Sequence, residues 1–320
     1  MAVGAAGRRP FRRAAVNRRL AALLPPLCAL LLLTGCPGAT GPDPVPTGTA
    51  TAPGPLPTGS TGAVPPDTSS PDTAAPGPPR SGGPPPRRAR WRPEPGTTWQ
   101  WQLQGRVDPT VDAEVFDIDG FENGADTVAA LHTRGRKVIC YLNAGAWEDF
   151  RPDRGAYPPA VLGRGNGWPG ERWVDIRRLD VLRPVLAARL DMCAEKGFDA
   201  VEPDLLDGYR HDTGFPLTAA HQLAFNRMVA ALAHERGLSA GLKNDLDQIP
   251  ELVDVFDFAV NEECAEFGEC AKLAPFTERG KAVLHAEYAL PTEEFCGLSR
   301  RLGLSSIRKR LALGAWRSTC

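Results

Sequence analysis

Between Thr98 and Cys320, eight short apolar runs recur, and several of the gaps between them are long enough for a helix. The runs fall at 99–103, 115–118, 137–142, 198–202, 238–242, 256–261, 281–286 and 305–308. Their length and their β-branched and aromatic content mark them as strands. Between them, 180–196 places Leu182, Leu186, Leu190 and Cys193 on one helical face and stops at Gly197. In the same way 218–236 sets Phe225, Val229 and Leu232 in step and stops at Gly237, and the shorter 127–134 precedes Gly135. A glycine just past the last periodic residue is the expected helix C-cap. Eight strands alternating with helices predict an α/β fold, a (β/α)8 TIM-like barrel. An open doubly wound sheet fits less well, because no Gly-rich phosphate fingerprint follows the first strand. No repeat of 20–50 residues is apparent in the sequence.

The residues ahead of the barrel read differently. Arg8, Arg9, Arg12, Arg13, Arg18 and Arg19 precede an apolar stretch from Leu20 to Leu33, the layout of a secretory signal. That stretch is too short and too proline-interrupted, at Pro25 and Pro26, to span a membrane. It ends Leu33-Thr34-Gly35-Cys36, which looks like a bacterial lipobox with Cys36 as the lipidated first mature residue. Residues 1–35 are therefore expected to be a lipoprotein signal peptide. Residues 36–97, rich in Pro, Gly, Thr and Ser, are expected to be a disordered linker, because they bury too little to offset their ordering entropy. The arginines at 87, 88, 90 and 92 read as a solvated part of that tether. Residues 98–320 form the barrel domain, held at the extracellular face of the cell membrane by the anchor alone.

Charge narrows the partner. The chain has 37 basic and 38 acidic residues, of which residues 1–97 hold 11 and 4. The domain is left with 26 against 34, a net of −8. That sign disfavours nucleic acid and favours a cationic substrate. Six cysteines remain in the domain, an even number that in an exported chain reads as disulfides. Six admit 15 pairings and the sequence does not choose among them. Cys264–Cys270 is favoured because it closes a short loop, with Cys296–Cys320 and Cys140–Cys193 following. A zinc site is the rival, but the domain has no CxxC and its histidines are scattered.

In such barrels the site is built from the C-terminal strand ends. Taken in order these give Asp117 and Asp119; Tyr141, Asn143 and Glu148; Glu202, Asp204 and Asp207; Lys243, Asn244 and Asp245; Glu262 and Glu263; Glu287 and Tyr288. In Phe-Asp-Ala-Val-Glu-Pro-Asp (198–204) the period of a strand turns Ala200, Glu202 and Asp204 to one face. An acid after a strand also serves as the N-cap of the next helix, and for Asp207 and Asp245 that reading is as good. Glu202, Asp204 and Glu262 instead extend their strands directly. Two carboxylates across a cleft, one protonated and one ionised, are the equipment of glycosidic bond cleavage. Lys243 beside them favours the ionised form, and Trp147, Tyr141, Tyr209 and Tyr288 offer faces to sugar rings.

Several of these segments carry a resemblance. Trp-Gln-Trp-Gln-Leu (99–103), Phe-Asp-Ile-Asp (116–119), Val-Ile-Cys-Tyr-Leu-Asn-Ala-Gly-Ala-Trp-Glu (138–148) and Trp-Val-Asp-Ile-Arg (173–177) resemble glycoside hydrolase family 114. So do Val-Glu-Pro-Asp-Leu-Leu-Asp-Gly-Tyr (201–209), Gly-Leu-Lys-Asn (241–244), Asn-Glu-Glu-Cys (261–264) and Gly-Glu-Cys (268–270). The resemblance covers nearly all of 98–320 in order. It implies a TIM-like barrel with endo-α-1,4-polygalactosaminidase activity, and by motif it places the catalytic pair on Asp204 and Glu262. Its substrate, a cationic galactosamine polymer, agrees with the acidic domain. Asp117, Asp119, Tyr141, Asn143, Trp147, Glu202, Asp207, Tyr209, Lys243, Asn244, Glu287 and Tyr288 are then expected around the substrate. No cofactor or metal is called for, and a monomer is expected. Leu205 stands where relatives often carry Asn, Glu263 where they often carry Gln, and the eighth strand matches poorly. An anchored protein that binds amino-sugar polymer without cutting it is the alternative, and a calcium-stabilised domain using Asp117, Asp119, Glu202 and Asp204 is a further one.

Overall fold

The computed structural model describes residues 90–320. The signal peptide, Cys36 and most of the expected linker lie outside the described residues. In chain order the elements are β1 (Trp99–Gln102), β2 (Val115–Asp119), α1 (Ala125–Thr133), β3 (Lys137–Asn143), β4 (Ala146–Glu148), β5 (Leu162–Gly165), β6 (Glu171–Val174) and α2 (Leu179–Glu195). They continue with β7 (Ala200–Asp204), α3 (Ala219–Glu235), β8 (Ser239–Lys243), α4 (Ile249–Leu252), β9 (Phe258–Glu262), α5 (Ala274–Glu278), β10 (Val283–Glu287), α6 (Thr292–Leu302), β11 (Ser305–Arg308) and β12 (Ser318–Thr319).

Eight strands, β1-β2-β3-β7-β8-β9-β10-β11, run parallel in that spatial order, and β12 pairs antiparallel to β11. This is the expected TIM-like barrel. The four strands β7 to β10 begin one or two residues later than their apolar runs and end in the acids and the lysine. The reason is that Phe198, Leu238 and Phe256, read as strand starts, pack at the turns into the barrel. Helices α1, α2 and α3 lie within two residues of their expected bounds and are followed by Gly135, Gly197 and Gly237, all at positive φ.

Period-two alternation builds two cores. Trp99, Trp101, Val115, Ile139, Ala200, Phe258, Val260, Leu284, Ala286 and Ile307 point into the barrel, while the intervening residues pack under the helices. Gly241 belongs to the inner set, and a Cβ there would lie 2.5 Å from the Phe258 ring. A seam between β11 and β1 is bridged by side chains and the C-terminal segment. Trp99 Nε1 donates to Ser305 O (2.8 Å), Gln100 Nε2 to Ala315 O (2.7 Å) and Leu103 N to Leu313 O (2.9 Å). Lys309 is buried in that seam, donating to Gly314 O, and burial pushes its pKa down to about 7. The connection from β3 to α2 carries a small antiparallel sheet, β4-β6-β5, that periodicity did not reveal. The disulfides are Cys140–Cys193, Cys264–Cys270 and Cys296–Cys320.

The barrel floor contains a repeat that the sequence reading missed. His132-Thr-Arg-Gly-Arg-Lys-Val138 and His234-Glu-Arg-Gly-Leu-Ser-Ala240 each end a helix and start a strand. Phe198-Asp199 and Phe256-Asp257 each lead into the next barrel strand. Asp199 Oδ2 lies 2.8 Å from His132 Nε2 and accepts from Val138 N (2.9 Å). Asp257 Oδ2 lies 2.8 Å from His234 Nε2 and accepts from Ala240 N (3.0 Å). Five residues beyond the two aspartates stand Asp204 and Glu262. The copies differ in length, because the first carries β4–β6 and α2, and this hid the period.

Residues 90–97, assigned to the linker by composition, contribute to the same floor. Arg92 Nε lies 2.8 Å from Asp257 Oδ1, Arg90 lies 3.7 Å from it, and Ser239 Oγ donates to Trp91 O. The Trp91 ring sits beneath Lys137 Nζ and packs on the barrel core. Burial works against the charge on Asp257, but the His234 and Ala240 hydrogen bonds and Arg92 hold its pKa below the usual range. A lowered carboxylate pKa stabilises the fold above the unfolded value near 4, and that stability is lost as pH falls below it. Asp257→Asn is therefore expected to lower stability by roughly 2 kcal/mol in urea melts at pH 7. The deficit should shrink as the wild type is acidified below about pH 4.

Candidate active site

At the C-terminal end of the barrel, the inward-facing positions become polar. Trp101 on β1 and Asp117 on β2 are followed by Tyr141 on β3, Glu202 and Asp204 on β7, Lys243 on β8 and Glu262 on β9, with Tyr288 just past β10. Strand β7 does persist to Asp204, so Glu202 and Asp204 share a face. The β7–β8 ladder is recorded only at Ala200–Ser239 and Val201–Ala240, and the Lys243 side chain reaches across from β8 to both acids of β7.

Lys243 is the hub. Its Nζ lies 2.8 Å from Glu202 Oε1, 2.9 Å from Asp204 Oδ1 and 3.3 Å from Glu262 Oε2, over the Trp101 ring at 4.8 Å. The side chain is only 2% exposed. Burial disfavours its charge, yet Asp204, Glu202 and Glu262 outweigh this and hold its pKa well above the ordinary lysine range. Each outer acid also receives a phenol: Tyr141 OH donates to Asp204 Oδ2 (2.8 Å) and Tyr288 OH to Glu262 Oε1 (2.5 Å). Burial first, then the adjacent Asp204 or Glu262, pushes both phenols well above their usual range, so they stay protonated donors. The result is a row, Tyr141–Asp204–Lys243–Glu262–Tyr288, in which each acid is gripped from the strands on either side.

Local backbone aims the two acids. Leu205 (φ 63°) and Glu263 (φ 62°), each just after its acid, are left-handed, and so are Asn244 and Asp245 after Lys243. This turns the chain sharply at the strand ends. Asparagine tolerates such a position better than leucine does. Leu205 N donates to Asp204 Oδ1 (2.8 Å), and Gly145 admits this turn, since a Cβ there would lie 2.0 Å from Leu205 O. Asn244 clamps the other acid: its Oδ1 accepts from Glu262 N (3.0 Å) and its Nδ2 donates to Glu262 Oε2 (3.3 Å).

Asp204 and Glu262 remain partly open, at 18% and 16% side-chain exposure. The expectation that Asp117, Glu202 and Glu287 meet substrate is corrected, because all three are fully buried. Glu287 faces outward under the helices, accepting from Ala265 N (2.7 Å) with His285 Nε2 at 2.8 Å, and so holds the loop after β9. Asp119 is also redirected: Arg151 grips both its oxygens (3.1 and 2.6 Å), and Phe121 N and Glu122 N donate to it. Asn143 closes the turn into β4 by accepting from Ala146 N (2.9 Å) and donating to Glu171. Trp147 Nε1 donates to Arg154 O (3.0 Å), leaving its ring half-buried.

Asp207, Tyr209 and Asp245 gather beside the row. Asp207 pairs with His211 (3.2 Å), and Asp245 accepts from Asn226 Nδ2 (2.9 Å). Burial and then Asp207 raise Asp245 to about 8. Sequence reasoning missed Arg151 and Arg189, the buried cations that fix this wall. Arg189 reaches Asp153 (2.7 Å) and Asn143 O (2.6 Å), and its signal was an arginine on the apolar stripe of α2.

Residues 83–320 match glycoside-hydrolase family GH114. The chain belongs to this family. Among solved structures it is similar to Aspergillus fumigatus Ega3 in complex with galactosamine, at 38% identity and a TM-score of 0.69 over 72% of this chain and 98% of that one. The glycoside hydrolase domain of PelA from Pseudomonas aeruginosa shares the fold, at 14% identity and a TM-score of 0.55 over 71% and 99%. An uncharacterized protein of Deinococcus radiodurans is 31% identical over 227 residues, 65% of each chain. This GH114 chain is thus a glycoside hydrolase on a TIM-like barrel.

Removing the hub would leave buried carboxylates without their cation. Lys243→Met is expected to cost about 3–5 kcal/mol of stability at pH 8, read by urea melts. The loss should lessen toward pH 5, because the uncompensated acids can then take up protons.

Proposed function

We propose that this hydrolase cleaves α-1,4-linked galactosamine polymer internally, with Asp204 as nucleophile and Glu262 as general acid and base. The observation that carries this is the shared ammonium: Asp204 Oδ1 lies 2.9 Å and Glu262 Oε2 3.3 Å from Lys243 Nζ. Their nearest oxygens are therefore no farther apart than those two lengths end to end. Both acids are thus within reach of one glycosidic linkage, and a retaining course is the one in which Asp204 attacks directly.

Asp204 has three donors, from Tyr141, Lys243 and Leu205 N, which suits a group that must stay anionic until it attacks the anomeric carbon. Glu262, with longer contacts to Lys243 and Asn244, is placed to protonate the departing glycosidic oxygen and then to take a proton from water. Two further observations support the substrate class. Ega3, at 38% identity, is solved with galactosamine. The domain's net charge of −8 suits a polymer of ammonium-bearing sugars. Asp207 and Tyr209, both partly exposed, are the groups after β7 suited to hold such an ammonium. We also read the chain as exported and anchored through Cys36, a reading that the three disulfides support.

Reducing ends are expected to appear on deacetylated polygalactosamine, with oligomers before monomer, and much more slowly on the fully acetylated polymer. Asp204→Asn and Glu262→Gln should each lower kcat by at least about 10³-fold, as expected for loss of covalent or acid catalysis. Proton NMR of the first product should show the α-anomer. Cys36→Ala should move the protein from the membrane fraction to the medium.

A further inference from the structure

Beneath the acid pair lies a second pair that no substrate can reach. Asp117 and Glu202 are both 0% exposed. Lys243 holds Glu202 Oε1, but among the described residues no other donor reaches Glu202 Oε2 or either oxygen of Asp117. The two acids are close enough to feel each other's charge. A carboxylate sealed from water with no donor on either oxygen leaves an uncompensated buried charge, and a proton on one acid removes it and supplies a donor for the other. Glu202 faces an ammonium at 2.8 Å and Asp117 has none so near, so the proton belongs to Asp117.

We propose that Asp117 is a positioning residue: as a neutral acid donating to Glu202, it keeps Glu202 ionised beneath Lys243 and thereby sets the charge that Asp204 and Glu262 share. This rests on the cleavage proposed above. Burial, then the neighbouring Glu202, raises Asp117 well above the carboxylate range; burial raises Glu202 as well, but there Lys243 and then Asp117 oppose it and favour the anion. The titratable and charged groups facing this pair are Tyr141 from β3, Asp204 from β7, Lys243 from β8 and Tyr288 after β10, and Lys243 in turn contacts Trp101 and Glu262. Lys243 is the cation among them, so one charge more or less on Glu202 is felt by both reacting acids.

The pH–rate profile of kcat/KM distinguishes this from a packing role. Glu202→Gln removes an anion beside Lys243, and both limbs should move to lower pH by about one unit. Asp117→Leu takes away the donor, so Glu202 must carry a proton itself, and the profile should move as in Glu202→Gln. Asp117→Asn keeps a neutral donor of the same shape, and both limbs should stay where the wild type has them. A downward shift of Asp117→Asn like that of Glu202→Gln would mean that Asp117 is ionised, and would overturn the proposal. So would an unmoved profile for Asp117→Leu. Infrared difference spectra of wild type against Asp117→Asn at pH 7 need no substrate and stand even if the proposed activity fails. Loss of a carboxylic-acid carbonyl band supports the proposal, and loss of a carboxylate band refutes it.

Discussion

A lysine ammonium that is 2% exposed must find its counter-charges within the fold, and Lys243 finds three, each from the end of a barrel strand. Desolvating such a cation costs several kcal/mol, and only close carboxylates return that energy. The strands β7, β8 and β9 are thereby tied at their C-terminal ends by charge where the β7–β8 ladder has stopped. The same contacts bring Asp204 and Glu262 to one centre. Stability and chemistry thus depend on one nitrogen, and the left-handed turns at Leu205, Asn244 and Glu263 serve to keep its ligands in place.

The floor of the barrel repeats this economy with a different chemistry. Asp199 and Asp257 each join a helix-end histidine to a strand N–H, and five residues later each strand delivers one acid of the pair, Asp204 or Glu262. Tyr141 and Lys243 stand at matching places in the two copies, nine residues after the histidine; Tyr141 donates to Asp204, and the Lys243 ammonium lies 3.3 Å from Glu262 Oε2. One acid pair therefore arises from two versions of one structural unit. The differences, Tyr for Lys and Asp for Glu, give the two acids unlike surroundings.

Much of this was legible in the residues. Inward-facing apolar positions with period two, helices stopped by glycine, and acids directly extending strands located the barrel and its working end, and the short Cys264–Cys270 loop was visible as a pair. What periodicity could not give was depth. Asp117, Glu202 and Asp204 look alike on a strand, yet two are sealed and one is open, and only the layering of side chains in a closed barrel decides which. Nor could spacing show that Asp119 and Asn143 are taken by Arg151 and by the turn into β4, because those partners come from an inserted sheet with irregular pattern. Composition also misjudged Arg90 and Arg92, whose role as ligands of Asp257 depends on a carboxylate far along the chain.

That last contact divides the labour of the barrel between its two ends. The segment at Arg90–Arg92 is fastened where β3, β8 and β9 begin, the pole opposite the one where they end. A change in this segment therefore acts on the strand starts, and it reaches Asp204 and Glu262 only through the length of the strands themselves.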